Sequence, residues 1–167
     1  MKSLHVVLHQ PEIPQNTGSI ARTCAAVGAK LHLIKPLGFS TEDRYLKRAG
    51  LDYWNLVEVF YHDNLSELFK QYQNGSFVFL TKKASQSYDK IHINGDIFLI
   101  FGNETKGLPR LLLSQNKKKC FRIPMVKKAR SLNLSNAVAV VVYDVLQHHE
   151  FIGLEISGDN ADQKIKA

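Results

Sequence analysis

Short apolar runs alternate along the chain with segments of helical periodicity. Runs such as Leu4–Leu8 and Asp96–Phe101 are rich in apolar and β-branched residues, and the second has the continuous apolar character of a buried central strand. Gln15–Val27 and Ser135–His148 repeat apolar residues at helical spacing. The predicted strands are Leu4–Leu8, Lys30–Ile34, Val57–Tyr61, Ser76–Leu80, Asp96–Phe101 and Phe121–Ile123, and the predicted helices are Gln15–Val27, Thr41–Ala49, Leu65–Tyr72, Pro109–Leu113 and Ser135–His148.

Strands that alternate with helices predict a single α/β domain, with a mostly parallel sheet flanked by helices. The length of 167 residues suits one such domain. We expect the domain to cover residues 1–152 and a polar, frayed tail to cover 153–167. Ligands of parallel sheets usually lie beyond the carboxyl ends of the strands, which directs attention to the segments after Leu80, Phe101 and Ile123.

Charge and composition narrow the class of function. The formal net charge of +7 favours a polyanionic partner such as nucleic acid, although charge alone does not identify one. Two cysteines, Cys24 and Cys120, are too few for a disulfide framework, and Cys24 lies in an apolar stretch typical of a core. The apolar runs are too short to span a bilayer or to act as a secretory signal, so we expect a cytoplasmic protein. The seven histidines show no convincing ligand spacing, and we predict no metal site.

The segment after the strand FLIF reads GNETKG and has the glycine spacing of a phosphate loop. Leu108 and Pro109 follow instead of Lys and Ser or Thr, and the dinucleotide-binding glycine pattern is missing too. One interpretation is a tight turn in which the glycines supply positive φ angles. The other is a ligand-binding loop, in which Gly102 lets a ligand approach the backbone and Glu104 orders the loop or takes part in chemistry.

Four polar residues, Ser131, Asn133, Ser135 and Asn136, precede the last predicted helix. Capping that helix requires one such side chain, so the surplus indicates a loop that hydrogen-bonds a ligand. Generous capping is the alternative interpretation.

Two sets of basic residues are candidates for contact with a polyanion. Arg22 lies among small and apolar residues behind a loop shaped by two prolines, which suits phosphate or substrate contact; a solvated surface arginine is the alternative. Arg44, Lys47 and Arg48 lie on a predicted helix, where Arg44 shares a face with Lys47 or Arg48, close to aromatic residues, which suits RNA binding. The alternative for this second set is a solvated helix face beside core aromatics.

Four segments together resemble the SPOUT superfamily of knotted RNA methyltransferases, and within it the TrmL-type tRNA wobble-position ribose 2′-O-methyltransferases. They are PEIPQNTGSIART, GFSTEDRYLKRAGLDYW, FGNETKGLP and IPMVKKARSLNLSNAVAVVVY, in the family's order over about residues 5–150. The resemblance implies an α/β fold with a C-terminal trefoil knot and a homodimer with its active site near the subunit interface. It implies methyl transfer from S-adenosyl-L-methionine to the 2′-hydroxyl of nucleotide 34 of tRNA, a cytidine or a modified uridine. The product would be S-adenosyl-L-homocysteine, and neither a metal, a membrane nor DNA is expected to take part.

The resemblance also assigns roles to individual residues by position. Arg22 matches the arginine to which a role in the reaction is assigned in related ribose methyltransferases. Asn16 and Glu104 match other motif positions near that site. The positions that match or neighbour cofactor contacts are Leu80, Thr81, Gly102, Ile123, Met125 and Ser131.

The proton acceptor is the open point of this mechanism. An arginine normally stays protonated, so we expect Arg22 to bind phosphate and to lower the pKa of the hydroxyl, while water, phosphate or Glu104 receives the proton. The alternative functions are the same chemistry on another tRNA site or on ribosomal RNA, and a non-catalytic RNA-binding module. A scaffold protein without RNA affinity is a further alternative, which the basic charge does not support.

Overall fold

The structure is a computed structural model that describes residues 1–40 and 53–158. It confirms the α/β domain with a parallel sheet: the order of the seven strands is β3-β2-β1-β6-β4-β7-β5, and every pairing between these strands is parallel. The strands are β1 (Ser3–His9), β2 (Lys30–Ile34), β3 (Val59–His62), β4 (Ser76–Leu80), β5 (Gln86–Ser87), β6 (Asp96–Phe101) and β7 (Cys120–Arg122), and the helices are α1 (Pro14–Val27), α2 (Leu65–Gln71), α3 (Arg110–Gln115) and α4 (Leu134–His148).

Most predicted elements are present, with differences at their ends. β3 begins at Val59 instead of Val57, because residues 54–56 form a short 3₁₀ turn. Pro109 is the extended N-cap residue of α3 instead of part of its first turn, with φ −55° and ψ 136°. The pattern missed β5, which has two residues and is too short for periodicity to show. The predicted helix Thr41–Ala49 and residues 159–167 lie outside the described residues; the trefoil knot and the domain boundary stay predictions.

Alternating side chains divide the buried residues of the sheet into two cores. The α1/α4 core lies between the sheet and helices α1 and α4, and the α2/α3 core lies on the opposite face against α2 and α3. Cys24 belongs to the α1/α4 core, as predicted, and burial raises the pKa of its thiol to about 12. None of the helices within residues 1–40 and 53–158 is long and apolar enough to cross a membrane.

A row of hydrogen-bonded side chains crosses four strands on the α2/α3 face, and we call it the histidine chain. His5 Nδ1 lies 2.8 Å from His32 Nε2, and His32 Nδ1 lies 2.9 Å from His62 Nε2. At the other end, Ser3 Oγ lies 2.8 Å from His5 Nε2 and donates to Asp96 Oδ1 at 2.7 Å. The three imidazoles are almost fully buried, with exposures of 3%, 0% and 3%.

The carboxylate at one end sets the direction of every hydrogen bond in the histidine chain. Ser3 gives its hydrogen to Asp96, so it accepts from Nε2–H of His5. A neutral imidazole has a single N–H, so His5 Nδ1 then accepts from His32 Nε2, and His32 Nδ1 accepts from His62 Nε2. His62 Nδ1 ends the chain, buried and without a hydrogen-bond partner among the described residues. This arrangement requires the imidazoles of His5 and His32 to be neutral, because each accepts a hydrogen bond through its Nδ1.

Candidate functional site

Three adjacent strands end at the same edge of the sheet and send their loops to one place. In the register of β4, Leu80 pairs with Phe101 of β6 on one side and with Phe121 of β7 on the other. The backbone N–H of Thr81 continues this alignment by donating to the Phe121 carbonyl at 2.9 Å. The structure therefore brings together four of the predicted cofactor-binding positions: Leu80, Thr81, Gly102 and Ile123.

The two remaining cofactor positions lie further along the loop after β7. Met125 is half-buried and Ser131 is exposed. Lys82 Nζ donates to the carbonyl oxygen of Arg130 at 3.3 Å, which ties this loop back to the loop after β4 beside Ser131. Leu80 and Ile123 are half-buried and pack against the α1/α4 core, so they offer apolar surface at the edge.

Gly102 is required by the close approach of the chain to itself. A Cβ at this position would lie 2.2 Å from the carbonyl carbon of Gly107 and 2.3 Å from the nitrogen of Leu108. Gly107 has a φ of +69°, so one of the two glycines supplies the positive φ angle of the turn interpretation. The direction of the missing side chain of Gly102 is therefore filled by its own loop, and contact between its backbone and a cofactor stays a prediction.

Glu104 holds the loop after β1 against the loop after β6. Its Oε2 accepts from the backbone N–H of Glu12 at 2.9 Å, and its Oε1 accepts from the N–H of Ile13 at 3.3 Å and from Asn16 Nδ2 at 2.9 Å. Asn16 is buried in the first turn of α1. Of the two roles expected for Glu104, these contacts support the ordering of the loop.

Glu12 makes the reciprocal connection, and sequence reasoning missed it. It accepts hydrogen bonds from Asn103 Nδ2 at 3.2 Å and from Thr105 Oγ1. Asn103 Oδ1 in turn accepts from the N–H of Lys106 at 2.7 Å and of Gly107 at 3.1 Å. Asn followed by such a turn is the signal that could have identified Asn103 as the residue that shapes this loop.

Asn133 connects the third loop to the same network. Its Nδ2 donates to Asn16 Oδ1 at 3.0 Å, and its Oδ1 caps α4 by accepting from the N–H of Ser135 at 2.9 Å and of Asn136 at 3.4 Å. The Ser135 hydroxyl also donates to Asn133 Oδ1, at 2.6 Å. Capping thus explains Asn133 and Ser135, whereas the side chains of Ser131 and Asn136 are exposed. We call Glu104, Asn16 and Asn133 the loop-tying network.

Arg22 lies on the same helix as Asn16 but outside the loop-tying network. It is six residues further on, about 9 Å along the helix axis, and its side chain is exposed. Its Nη2 donates to the hydroxyl of Tyr53 at 3.3 Å, and its guanidinium carbon lies 4.5 Å from the centroid of that ring. Tyr53 thus holds the arginine on the outer face of α1. The candidate RNA-binding residues Arg44, Lys47 and Arg48 lie outside the described residues.

His9 ends β1 at the same edge, and sequence reasoning did not select it. It directly follows Leu8, which pairs with Phe101 of β6. Burial lowers the pKa of its imidazole, and its Nδ1 is buried without a hydrogen-bond partner in the described part of the chain. Within the same residues, no group of three or more His, Cys, Asp or Glu side chains could hold a metal ion.

Comparisons with known proteins agree with this architecture. Residues 3–143 match the model of the SpoU rRNA Methylase family. A Bacillus subtilis (strain 168) protein, provisionally named tRNA (cytidine(34)-2'-O)-methyltransferase, is 54% identical over 156 residues, which are 92% of this chain and 98% of the relative.

Two solved structures extend the comparison. One, described as "Structural insights into the 2-OH methylation of C/U34 on tRNA", has a TM-score of 0.85 and 39% identity over 89% of this chain and 97% of its own. The other, an AdoMet-bound rRNA methyltransferase from Sinorhizobium meliloti, has a TM-score of 0.77 and 26% identity over 87% of this chain and 56% of its own. With a family match over most of its length and a relative that is more than half identical, the chain belongs to the SpoU rRNA methylase family.

Proposed function

We propose that the protein is a tRNA ribose 2′-O-methyltransferase, which transfers a methyl group from S-adenosyl-L-methionine to the 2′-hydroxyl of nucleotide 34, a cytidine or a modified uridine. The observation that carries the proposal is the meeting of the loops after β4, β6 and β7 at one sheet edge. The name of the Bacillus subtilis relative and the C/U34 subject of one solved structure support the choice of nucleotide.

The residues at this edge fit the proposed methyl donor. Leu80 and Ile123 offer half-buried apolar surface for an adenine ring. The hydroxyls of Thr81 and Ser131 would serve polar groups of the donor. The bound AdoMet of the Sinorhizobium meliloti relative supports the same cofactor here. When bound, the donor supplies a methyl group that its sulfonium already activates, so no metal is needed, and S-adenosyl-L-homocysteine is the product. Gly102 and Met125 complete the set of residues that would hold it.

Arg22 is proposed to act on the substrate side. Its guanidinium is exposed on α1 and is held in place by Tyr53, so it is available to a phosphate of the RNA. A protonated guanidinium near the ribose would lower the pKa of the 2′-hydroxyl and would align the nucleotide for attack. The proton would leave to water or to the substrate phosphate, since hydrogen bonds to Glu12, Ile13 and Asn16 already engage both carboxylate oxygens of Glu104.

Asn16 and Glu104 are proposed as positioning residues for this reaction. Through Asn133 they fix the loops after β1, β6 and β7 relative to one another. The reaction requires the hydroxyl oxygen, the methyl carbon and the sulfur to be in line, and correct orientation supplies up to roughly 7–11 kcal/mol in well-aligned systems. Loosening these loops would therefore reduce the rate of methyl transfer without removing a reacting group.

The homodimer and the trefoil knot are part of the proposal. The outer face of α4 supports a dimer, because Val140 and Tyr143 lie one turn apart there with exposures of 39% and 48%. Replacing Tyr143→Arg should turn a dimer into a monomer in sedimentation velocity. The matched control is Leu111→Arg, which changes an exposed apolar residue on α3. A wild-type monomer, or a Tyr143→Arg dimer, would contradict the assignment of this face.

As a tRNA-modifying enzyme, the protein would work in the cytoplasm.

The test of the function is methyl transfer in vitro. Purified protein, labelled S-adenosyl-L-methionine and unmodified tRNA should yield a 2′-O-methyl nucleoside that nuclease digestion and mass spectrometry locate at position 34. Cells without the gene should lack this mark. If no methyl group is transferred in vitro and the mark persists in cells without the gene, the proposal is rejected.

Ribosomal RNA is the second candidate substrate, because the family description and the AdoMet-bound relative both refer to rRNA. Parallel assays on separated tRNA and rRNA pools distinguish the two substrates. Binding of RNA without any methyl transfer would instead favour a non-catalytic RNA-binding module.

A further inference from the structure

A cavity opens on the face of the sheet opposite to Leu80 and Ile123. It has a volume of about 520 Å³ and lies between the loop after β4, helix α3 and the 3₁₀ turn at residues 117–119. Its floor is apolar and includes Ala84, Leu113 and the buried Cys120. We call it the α3 cavity. Its volume falls in the usual range for sites that bind small organic molecules or nucleotides.

The alternation of side chains along β4 and β7 separates the α3 cavity from the proposed methyl-donor site. Ala84 and Cys120 belong to the α2/α3 core, whereas Leu80 and Ile123 pack against the α1/α4 core. The two sites share the loop after β4, since Thr81 also lines the cavity. A ligand in the α3 cavity would therefore lie next to the reaction site without occupying it.

The charge of the α3 cavity has one sign. Lys83, Arg110 and Lys117 line it, together with the hydroxyl-bearing residues Ser85 and Ser114, and none of its lining residues is acidic. The three basic side chains are exposed, and none of them forms an ion pair with another described residue. Three cations beside hydroxyl donors form a site for phosphate oxygens, which accept hydrogen bonds from both kinds of group.

We propose that the α3 cavity binds backbone phosphates of the RNA substrate. This rests on the proposed function, because it gives that substrate a second contact point beside the loop after β4. The exposed position of the three cations suits a phosphodiester chain that passes across the surface, and the apolar floor suits the face of a nucleotide base. The net charge of +7 is consistent with such a partner.

The test compares two triple variants that lose the same charge. Lys83→Gln, Arg110→Gln and Lys117→Gln together remove the cations of the α3 cavity. The control variant combines Lys2→Gln, Lys70→Gln and Lys90→Gln, which are exposed positions away from it. Binding of unmodified tRNA is measured between 50 and 300 mM KCl by fluorescence anisotropy, with circular dichroism and binding of S-adenosyl-L-methionine as checks that the fold and the other site are intact.

The cavity variant should bind tRNA at least about tenfold more weakly than the control variant at 100 mM KCl. Its slope of log affinity against log salt should be smaller by about 2, since each contact with single-stranded phosphate contributes roughly 0.7. Equal affinities and slopes in the two variants would overturn the inference. So would a cavity variant that loses only the binding of inorganic phosphate or adenosine monophosphate, because the ligand would then be a free anion.

The failure of the proposed function gives a different result. If the wild-type protein methylates tRNA and the two triple variants bind tRNA alike, the α3 cavity is refuted as an RNA site. The proposed function then stands. If the wild type binds rRNA and not tRNA, the same comparison is made with rRNA and decides the inference there. Wild-type protein that binds neither RNA overturns both.

Discussion

The histidine chain makes the protein sensitive to mild acid. Burial, with a smaller effect from the charge of Lys30, lowers the pKa of His5 from 6.5 to about 4. Burial and the neighbouring His5 and His62 lower that of His32 to about 3. Because these values lie below that of the unfolded chain, the unfolded state binds more protons from about pH 6.5 down to about pH 4 for His5 and about pH 3 for His32. Stability is therefore complete above about pH 6.5 and is lost as the pH falls through this window.

The size of this loss follows from the two pKa values. One pH unit between the folded and the unfolded pKa corresponds to about 1.4 kcal/mol for each group. At pH 5, both folded pKa values are still lower than the pH, while the unfolded value of 6.5 is higher by 1.5 units. Each histidine then costs about 2 kcal/mol, and the pair costs about 4 kcal/mol. That is a large share of the 5–15 kcal/mol by which domains are usually stable.

Urea unfolding at several pH values measures this effect. We expect the free energy of unfolding of the wild type to fall by about 4 kcal/mol between pH 7.5 and 5. His32→Gln removes one titrating group, so below pH 6 its free energy should change less steeply, by about 1.4 kcal/mol per pH unit. The control is His92→Gln, which replaces an exposed histidine that does not belong to the histidine chain. This variant should keep the wild-type slope. His5→Gln is the second test variant, in case His32→Gln does not fold.

Equal slopes for the wild type and for both chain variants would refute this account. They would mean that the buried imidazoles take up no more protons on unfolding than the control does.

Four substitutions at three positions test the site itself. Arg22→Lys should retain part of the methyl-transfer activity because it keeps the positive charge, whereas Arg22→Ala should lose most of that activity. A wild-type rate of methyl transfer by Arg22→Ala in a single-turnover assay would remove Arg22 from the mechanism. Asn133→Ala removes the cap of α4 and the hydrogen bond to Asn16, so it should lower the unfolding free energy by about 1–2 kcal/mol. It should also reduce kcat more than it reduces cofactor affinity. An unchanged kcat would argue against a positioning role. Gly102→Ala should displace the loop at Gly107, at a cost of about 1–3 kcal/mol, and weaken cofactor binding in calorimetry; wild-type affinity and stability would contradict the close approach.

The sheet could be predicted because burial on both faces leaves a strong pattern. Continuous apolar runs such as Asp96–Phe101 identified the central strands, and Cys24 was correctly assigned to the core. The same pattern led to the candidate site, since parallel strands end at a common edge. Sequence periodicity could not reveal β5, because two residues contain no period.

The connections between loops could not be read in the same way. Glu12 and Asn133 reach partners about 90 or more positions away, and no local spacing records such contacts. The histidine chain was missed for a similar reason: His5, His32 and His62 come from three separate strands, and only the register brings them into line. The roles of the matched residues came from the resemblance, and the contacts of Asn16 and Glu104 supply a physical reason for two of them.

The long span of the loop-tying network has a consequence for biosynthesis. The hydrogen bond from Asn133 to Asn16 joins residues 117 positions apart, and that from Asn16 to Glu104 spans 88. Contacts that close such long loops form late in folding. On the ribosome, Asn16 must therefore wait until Asn133 has emerged before it acquires both partners. A nascent chain that ends before Asn133 would lack the assembled loop-tying network, so catalytic competence would arise only after that residue has been added.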